Sequence, residues 1–242
     1  MPGETMPYTP IVWGSFITGK PPHEHKSRLL LSTDMGFVNF LRQLPVIRNI
    51  KGKRDLLEKL GFPPWLYMHI ANKDDLGTET IFDIIEDSVA IWVPSYNPCD
   101  NLYWALRKAM KKGIKEYERC IWRVHRVRYL EMIRQLKRVK NWSLFMAYYD
   151  LADLLGHIYI SKKRYKLYIA YRKLDKLVNE VKRMIPNDTF FLIVSDHGMT
   201  YERGSIFGKH SDYAFWSFNM DITQTPREIT DFYNIILSLI NR

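Results

Sequence analysis

The stretch of chain between residues 143 and 194 has a strand–helix–strand pattern, and this pattern constrains the fold more than any other feature. Residues 143–149 and 189–194 are short, mostly apolar runs, which is typical of buried strands. The apolar side chains between them follow helical spacing until Pro186 stops the helix: Leu174, Leu177, Val178, Val181, Met184 and Ile185. Apolar strands that alternate with helices indicate a parallel sheet. The sequence therefore predicts an α/β fold with a mostly parallel central sheet and helices on both faces.

Other segments extend this pattern toward both ends of the chain. Residues 88–93 are a β-branched run that Pro94 stops, and residues 214–218 read as another strand. Residues 228–239 predict a closing helix. A chain of 242 residues, of which 46% are hydrophobic, can form one large domain or two small ones. We expect a single domain over residues 1–242.

Several classes of protein are disfavoured by composition. No apolar run approaches the roughly 20 residues needed to cross a bilayer, and nothing resembles a secretory signal. The two cysteines, Cys99 and Cys120, imply no disulfide framework. We therefore expect a cytoplasmic protein without a membrane span.

The formal charge of +10 is concentrated between residues 107 and 140. The basic side chains there alternate with apolar ones, as in amphipathic helices: Arg107, Lys108, Lys111, Lys112, Lys115, Arg119, Arg123, Arg126, Arg128, Arg134, Lys137, Arg138 and Lys140. One interpretation is a surface that attracts phosphate-rich partners such as nucleic acid. The other, which we favour, is a helical pair with a solvated basic face, because no nucleic-acid-binding motif accompanies the charge.

Acids and histidines follow two of the predicted strands. The strand over residues 189–194 leads into Asp196 and His197, and the strand over 143–149 leads toward Asp153 and His157. The spacing of four between Asp153 and His157 places both on one face of a helix. His210 follows the glycine-containing run over residues 204–208 and could reach the same rim. An adjacent Asp–His pair alone could equally be a hydrogen-bonded turn.

Ligands gather beyond the carboxyl ends of parallel strands, so these five residues can converge. Three imidazoles and two carboxylates suit one or two zinc-like ions. A pair of ions about 4 Å apart can stabilise both the attacking and the leaving oxygen of a phosphoryl transfer. The set therefore indicates metal-assisted phosphoryl chemistry.

Thr9 is a candidate nucleophile for that chemistry. It has N-cap character, and Pro10 suits the first helical position. A hydroxyl at a helix N-terminus lies in a positive field that favours a bound phosphoryl group. The simpler alternative is that Thr9 only caps the helix.

Together these motifs make the chain resemble the alkaline phosphatase superfamily, in its type I phosphodiesterase/nucleotide pyrophosphatase branch. The matching pieces lie in family order between about residues 5 and 218: Thr9-Pro10, Thr18-Gly19, Asp153 with His157, residues 195–199, and Gly208 with His210. The resemblance implies an alkaline phosphatase-like three-layer sandwich with a basic helical insertion at about residues 100–140. It also implies a small phosphodiester or nucleotide substrate.

The resemblance assigns roles to the candidate residues. Thr9 would form a covalent phospho-enzyme intermediate. Asp153, His157 and His210 would hold one divalent ion, and Asp196 with His197 a second. Zinc is usual in this branch, and manganese serves in some relatives. No other cofactor and no oligomeric state is implied.

One departure from the family is a missing aspartate. Members normally carry a strand ending in a metal-binding aspartate some thirty residues before the nucleophile, whereas eight residues precede Thr9 here. Glu4 and Asp34 are poor substitutes. We expect either a start recorded too late or an incomplete second site. The alternative functions are a catalytically impaired, anion-binding relative and a phosphomonoesterase or phosphoglycerate mutase-like enzyme.

Overall fold

A computed structural model describes residues 8–28, 30–32, 68–222 and 224–240 of the chain. The helices are α1 (Thr9–Thr18), α2 (Lys73–Leu76), α3 (Ile81–Ile84), α4 (Asp100–Lys111), α5 (Ile114–Arg138), α6 (Leu151–Tyr159), α7 (Arg164–Lys182) and α8 (Asp231–Ile240). The strands are β1 (Leu30–Ser32), β2 (Met68–Ile70), β3 (Ser88–Ile91), β4 (Leu144–Ala147), β5 (Leu192–Val194), β6 (Gly198–Thr200), β7 (Lys209–Ser211) and β8 (Trp216–Phe218). Glu4 and Asp34, weighed above as substitute ligands, lie outside the described residues.

The strands of the described segments pair two by two. β3 and β4 are parallel, with Ser88 opposite Leu144 and Ile91 opposite Ala147. The pairs β5–β8, β6–β7 and β1–β2 are antiparallel. The predicted α/β class is confirmed, but the predicted mostly parallel central sheet is not shown among these residues. Among these residues the hydrogen-bonded neighbour of β5 is the antiparallel β8, because sequence order does not determine which strands become neighbours.

Helices cover both faces of the β3–β4 pair, as the apolar strands predicted. Side chains alternate along a strand, and on β4 Leu144 and Met146 pack against a cluster built from α1, α3 and α8. Phe145 and Ala147 point to the other face, where they pack against a cluster from α5 and α7. A third cluster joins α4, α5, α6 and α7. The sheet pair thus lies between two helical layers.

Most predicted elements are present with shifted bounds. The helix expected over residues 174–185 begins ten positions earlier and ends at Lys182 (α7). The strand expected over 88–93 ends at Ile91, because Trp92 adopts a left-handed backbone with φ of 52°. The closing helix spans Asp231–Ile240. The β6–β7 hairpin was not predicted, since its short polar segments lack the periodicity of a strand.

The basic region forms the expected helical pair. α4 ends before Gly113, whose φ of 107° suits glycine, and α5 begins at Ile114. The buried residues of α5 recur on one side of the helix: Ile121, Val124, Arg128, Met132 and Leu136. A solvated basic face is thus present, with Arg128 as a buried exception.

Among the described helices, none is long and apolar enough to cross a membrane. Cys99 and Cys120 are free thiols.

Candidate metal centre

Helix α6 brings Asp153 and His157 together. The i,i+4 spacing places Oδ1 of Asp153 3.3 Å from Nε2 of His157. Leu151 and Leu155 are fully buried on the opposite side of the same helix and anchor it in the core. The two side chains thus share one face of the helix, as their spacing in the sequence predicted.

The β6–β7 hairpin delivers His210 to the same point. Its imidazole Nε2 lies 3.0 Å from Nε2 of His157 and 3.4 Å from Oδ1 of Asp153. The backbone N–H of Gly208 donates to the carbonyl oxygen of His157 at 2.8 Å, which attaches the hairpin to α6. Nδ1 of His157 lies 3.0 Å from the carbonyl oxygen of Gly208, so Nδ1 is the protonated nitrogen and Nε2 faces the cluster. Ligand atoms of Asp153, His157 and His210 all lie within 4.8 Å of one another.

Asp196 and His197 follow β5, as predicted, and border this triad. Nε2 of His197 lies 3.4 Å from Oδ2 of Asp196 and 3.9 Å from Oδ1 of Asp153. The ring of His197 stacks on that of His210 with centroids 3.5 Å apart. Nδ1 of His197 lies 3.0 Å from the carbonyl oxygen of Gly198, which it satisfies as a donor, leaving Nε2 directed at the cluster.

Thr9 also lies at this cluster. Its Oγ1 is 3.3 Å from Nε2 of His197, although 188 positions separate the two residues in the chain. Tyr8 and not Thr9 occupies the N-cap position, so the predicted cap is displaced by one residue. The shift leaves Thr9 in the first turn of α1, where its hydroxyl contacts side chains of the site. The structure thus brings together all six residues singled out from the sequence: Thr9, Asp153, His157, Asp196, His197 and His210.

The electrostatics of the cluster suit a cation. Burial opposes the ionisation of Asp153, yet its contacts with His157 and His210 hold its pKa far below the usual value. The contact with Asp153 raises the pKa of His157 against the effect of burial. Burial raises the pKa of Asp196 and outweighs the opposing effects of His197 and Thr9. Of these two carboxylates, Asp196 is the one whose charge the neighbouring side chains compensate less.

Two buried carboxylate oxygens have lone pairs without a hydrogen-bond partner among the described residues. They are Oδ1 of Asp153 and Oδ2 of Asp196. Buried polar atoms are normally satisfied, and an unmet acceptor at a cluster of imidazoles is typical of a metal ligand. Carboxylate oxygens and imidazole nitrogens are also the donor set that zinc and manganese accept. The residues present therefore fit one divalent ion at the triad, and Asp196 with His197 offer two further ligands.

A buried arginine, Arg128, forms an ion pair next to the site, and the sequence analysis did not predict it. Nη2 of Arg128 donates to Oδ2 of Asp150 at 3.0 Å, and both residues are buried. The guanidinium lies over the rings of Trp92, at 5.5 Å, and Tyr148, at 5.2 Å. Asp150 immediately precedes α6, so this ion pair holds the start of the helix that carries Asp153. The signal was an arginine on the apolar side of α5, four positions after the buried Val124 and four positions before the buried Met132.

Burial raises the pKa of Tyr148 well above its usual value, and the nearby carboxylates raise it further, with Asp196 the largest contributor. Its phenol therefore keeps its proton next to the cluster.

Comparison with known proteins identifies the family. The model of the type I phosphodiesterase / nucleotide pyrophosphatase family matches residues 78–211, which is more than half of the chain. The chain belongs to this family. The matched stretch contains the five acids and histidines of the cluster, whereas Thr9 precedes it.

A second comparison shows a relative that is similar over a short stretch. GPI ethanolamine phosphate transferase 2 from Kluyveromyces lactis is 29% identical over 65 residues. The alignment covers 27% of this chain and 8% of that protein. The chain thus corresponds to a small part of the transferase. No solved structure matches significantly.

The remaining histidines have other environments. Nε2 of His25 lies 2.9 Å from Oγ of Ser15 in the core. His69 pairs with Asp75 at 3.0 Å. His125 packs edge-on against Trp122 and Tyr149. None of the three joins a cluster of metal-ligating groups among the described residues.

Proposed function

We propose that this chain is a divalent-metal-dependent enzyme that cleaves small phosphodiesters or nucleotide pyrophosphates through a covalent phospho-threonine at Thr9. The observation that carries the proposal is the 3.3 Å contact between Oγ1 of Thr9 and Nε2 of His197. This contact joins a hydroxyl at a helix N-terminus to a cluster of metal-ligating groups. Such a pairing is what activation of a hydroxyl nucleophile by a metal requires.

The ligand assignment follows the geometry and the family. Asp153, His157 and His210 would hold one ion, and Asp196 with His197 would hold a second. Zinc fits this donor set best, and manganese is also accepted by it. When bound, the ions would polarise phosphoryl oxygens and favour the deprotonated form of a nearby hydroxyl or water.

The two proposed ion sites are unequal. Among the described residues, the triad is the one group of three or more ligands that converge, and Asp196 with His197 form only a pair. Fewer protein ligands give weaker binding when the chemistry of the ligands is the same. We therefore propose that the ion at Asp196 and His197 binds more weakly than the ion at the triad.

The chain's own groups account for binding and attack. The first turn of α1 lies at the positive end of the helix dipole, which favours a negatively charged phosphoryl group. Oγ1 of Thr9 gives up its proton to water and attacks the phosphorus. The bond from phosphorus to the leaving oxygen breaks, and the leaving group takes a proton from water. Water then attacks the phosphorus of the phospho-threonine, which releases the product and restores the hydroxyl of Thr9.

Transfer to an alcohol is a second candidate outcome of the same intermediate. The short similarity to a protein named as an ethanolamine phosphate transferase favours it. A covalent phospho-enzyme can be attacked by an alcohol as well as by water. Adding a primary alcohol during turnover and measuring the alkyl phosphate formed separates transfer from hydrolysis.

We also propose that residues 1–242 form one alkaline phosphatase-like domain in which α4 and α5 are the basic insertion. Side chains of β3, β4, β5 and β8 contact the same core under α1, including Ala90, Met146, Leu192 and Phe218. Shared packing of the two strand pairs supports a common central sheet.

The proposal is tested by hydrolysis of a chromogenic phosphodiester with added zinc or manganese. We expect turnover in the unaltered chain and its loss in Thr9→Ala and in His197→Ala. The exposed His23 provides a matched control, since His23→Ala should keep full activity. Absence of turnover in the unaltered chain, with retained binding of inorganic phosphate, would instead support the anion-binding relative.

A further inference from the structure

The outer sides of two neighbouring helices form a surface that the proposed function leaves unused. Lys166 of α7 donates to Glu118 of α5 at 2.6 Å, and Tyr129 of α5 donates to Glu180 of α7 at 2.9 Å. The partners advance in the same direction along both helices, so α5 and α7 lie side by side and parallel. Helix α6 packs beneath both through a shared apolar cluster. The solvent-exposed sides of α5 and α7 therefore adjoin, and we call them the α5–α7 face.

The α5–α7 face is strongly cationic. On α5 exposed basic residues recur every one or two turns along about 33 Å of helix, and they include Lys115, Arg119, Arg123, Arg126, Arg134 and Lys137. On α7 the exposed basic residues include Arg172, Lys173 and Lys176. Ion pairs with acids of the same helix engage three of these cations: Arg119, Arg134 and Arg172. The face keeps a large excess of positive charge, which attracts a partner of opposite charge.

Large apolar side chains are exposed between these cations. They are Val127, Leu130, Tyr165, Tyr168, Ile169 and Tyr171. Tyr165 and Tyr168 are 61% and 66% exposed, so they are available to a partner. Aliphatic side chains are stabilised when an apolar environment removes them from water. Tyrosine favours an interface between an apolar phase and water, where its ring contacts apolar groups and its hydroxyl stays hydrated.

We propose that the α5–α7 face docks on a lipid surface that carries anionic headgroups. The cations would lie against the negatively charged headgroups. Leu130, Ile169 and the tyrosines would enter the boundary between headgroups and acyl chains. The two parallel helices would lie in the plane of that boundary, because their exposed sides are on the same side of the molecule.

Nucleic acid would bind the cations of this surface but not its apolar side chains. Its phosphates would attract the same cations. A phosphate backbone would not bury the exposed aliphatic side chains, which would stay in water: Val127, Leu130 and Ile169. A pair of helices packed flat on α6 also lacks the single protruding helix that enters a major groove. The mixture of aliphatic and cationic groups therefore favours the lipid surface.

Co-sedimentation of the full chain with vesicles tests the proposal. Vesicles of phosphatidylcholine alone are compared with vesicles that also contain phosphatidylglycerol. We expect binding to the anionic vesicles and not to the neutral ones, and we expect salt to weaken it because it screens exposed charges. Equal binding to both vesicles, or binding to duplex DNA with none to anionic vesicles, would overturn the proposal.

Variants identify the face that binds. Arg123→Gln combined with Arg126→Gln should weaken binding about 25-fold, from about fivefold for each cation removed. Tyr165→Ser combined with Tyr168→Ser should weaken binding without changing its dependence on salt. Lys26→Gln combined with Arg28→Gln is the matched control, since both residues are exposed outside the face and the change in charge is the same. Equal loss in the control and in the Arg123 and Arg126 variant would contradict the assignment. Circular dichroism verifies that each variant is folded.

Discussion

Nε2 of His157 and Nε2 of His210 lie 3.0 Å apart, and Oδ1 of Asp153 lies within 3.4 Å of both. Two protonated imidazoles would repel each other at this distance, whereas one divalent cation would be attracted by all three side chains. We predict that Asp153→Asn weakens zinc affinity by more than about 100-fold, because changes beyond the direct ligands already cost 10–100-fold.

Isothermal titration calorimetry with zinc measures this loss. Asp221→Asn removes one negative charge at an exposed position and serves as the control. An unchanged zinc affinity in Asp153→Asn would show that the triad is not a metal site.

Gly208 permits a close approach between the β6–β7 hairpin and α6. A Cβ at this position would lie 2.7 Å from the backbone carbonyl oxygen of Gly156 and 2.9 Å from Ile160. We predict that Gly208→Ala destabilises the chain by about 1–3 kcal/mol, as overpacking does, and weakens zinc binding by displacing His210.

Gly156→Ala is the matched comparison for this prediction. The three atoms nearest to its added Cβ all belong to the flexible side chain of Met199, the closest at 3.0 Å. Urea denaturation should therefore show a smaller loss of stability than in Gly208→Ala. A larger loss in Gly156→Ala would contradict this account of the hairpin.

The buried ion pair of Arg128 and Asp150 is expected to matter for stability. Removing one partner leaves an uncompensated buried charge, which typically costs 3–5 kcal/mol. We predict a loss of about that size in Arg128→Met and a smaller loss in the double variant Arg128→Met with Asp150→Asn. A double-mutant cycle based on urea denaturation measures the coupling, and additive effects would refute it.

His25 is expected to make folding depend on pH. The backbone N–H of Ser27 donates to Nδ1 of His25, so the imidazole in the fold is neutral, and burial lowers its pKa. The unfolded chain takes up the proton first as pH falls below about 6.5. The stability contributed by neutral His25 is therefore present above that pH and is lost as pH falls through the pKa of the folded state.

Urea denaturation at about pH 7 and about pH 5 checks this prediction across the ordinary pKa of histidine. His25→Gln should reduce the loss of stability between the two values. His23→Gln provides the control because His23 is exposed. An identical pH dependence in both variants would exclude His25 as its source.

Local patterns predicted much of the site, and long-range pairing was harder to predict. The spacing of Asp153 and His157 determines their shared helical face, and apolar strand ends located Asp196 and His197. His210 was placed by its order in the family motif, since the short polar hairpin that carries it has no periodicity. The pairing of β5 with β8 depends on contacts between distant segments. Arg128 was counted with the solvated basic residues because its burial depends on the opposing Trp92, Tyr148 and Asp150.

The covalent role of Thr9 is the central claim, and trapping the intermediate tests it most directly. The chain is incubated with zinc and a phosphodiester whose phosphorus is radioactively labelled, quenched in acid and digested, and the labelled peptide is sequenced. We predict label on Thr9, none in Thr9→Ala, and label on the serine in Thr9→Ser. Turnover without label on Thr9, or label that persists in Thr9→Ala, would contradict the proposed mechanism.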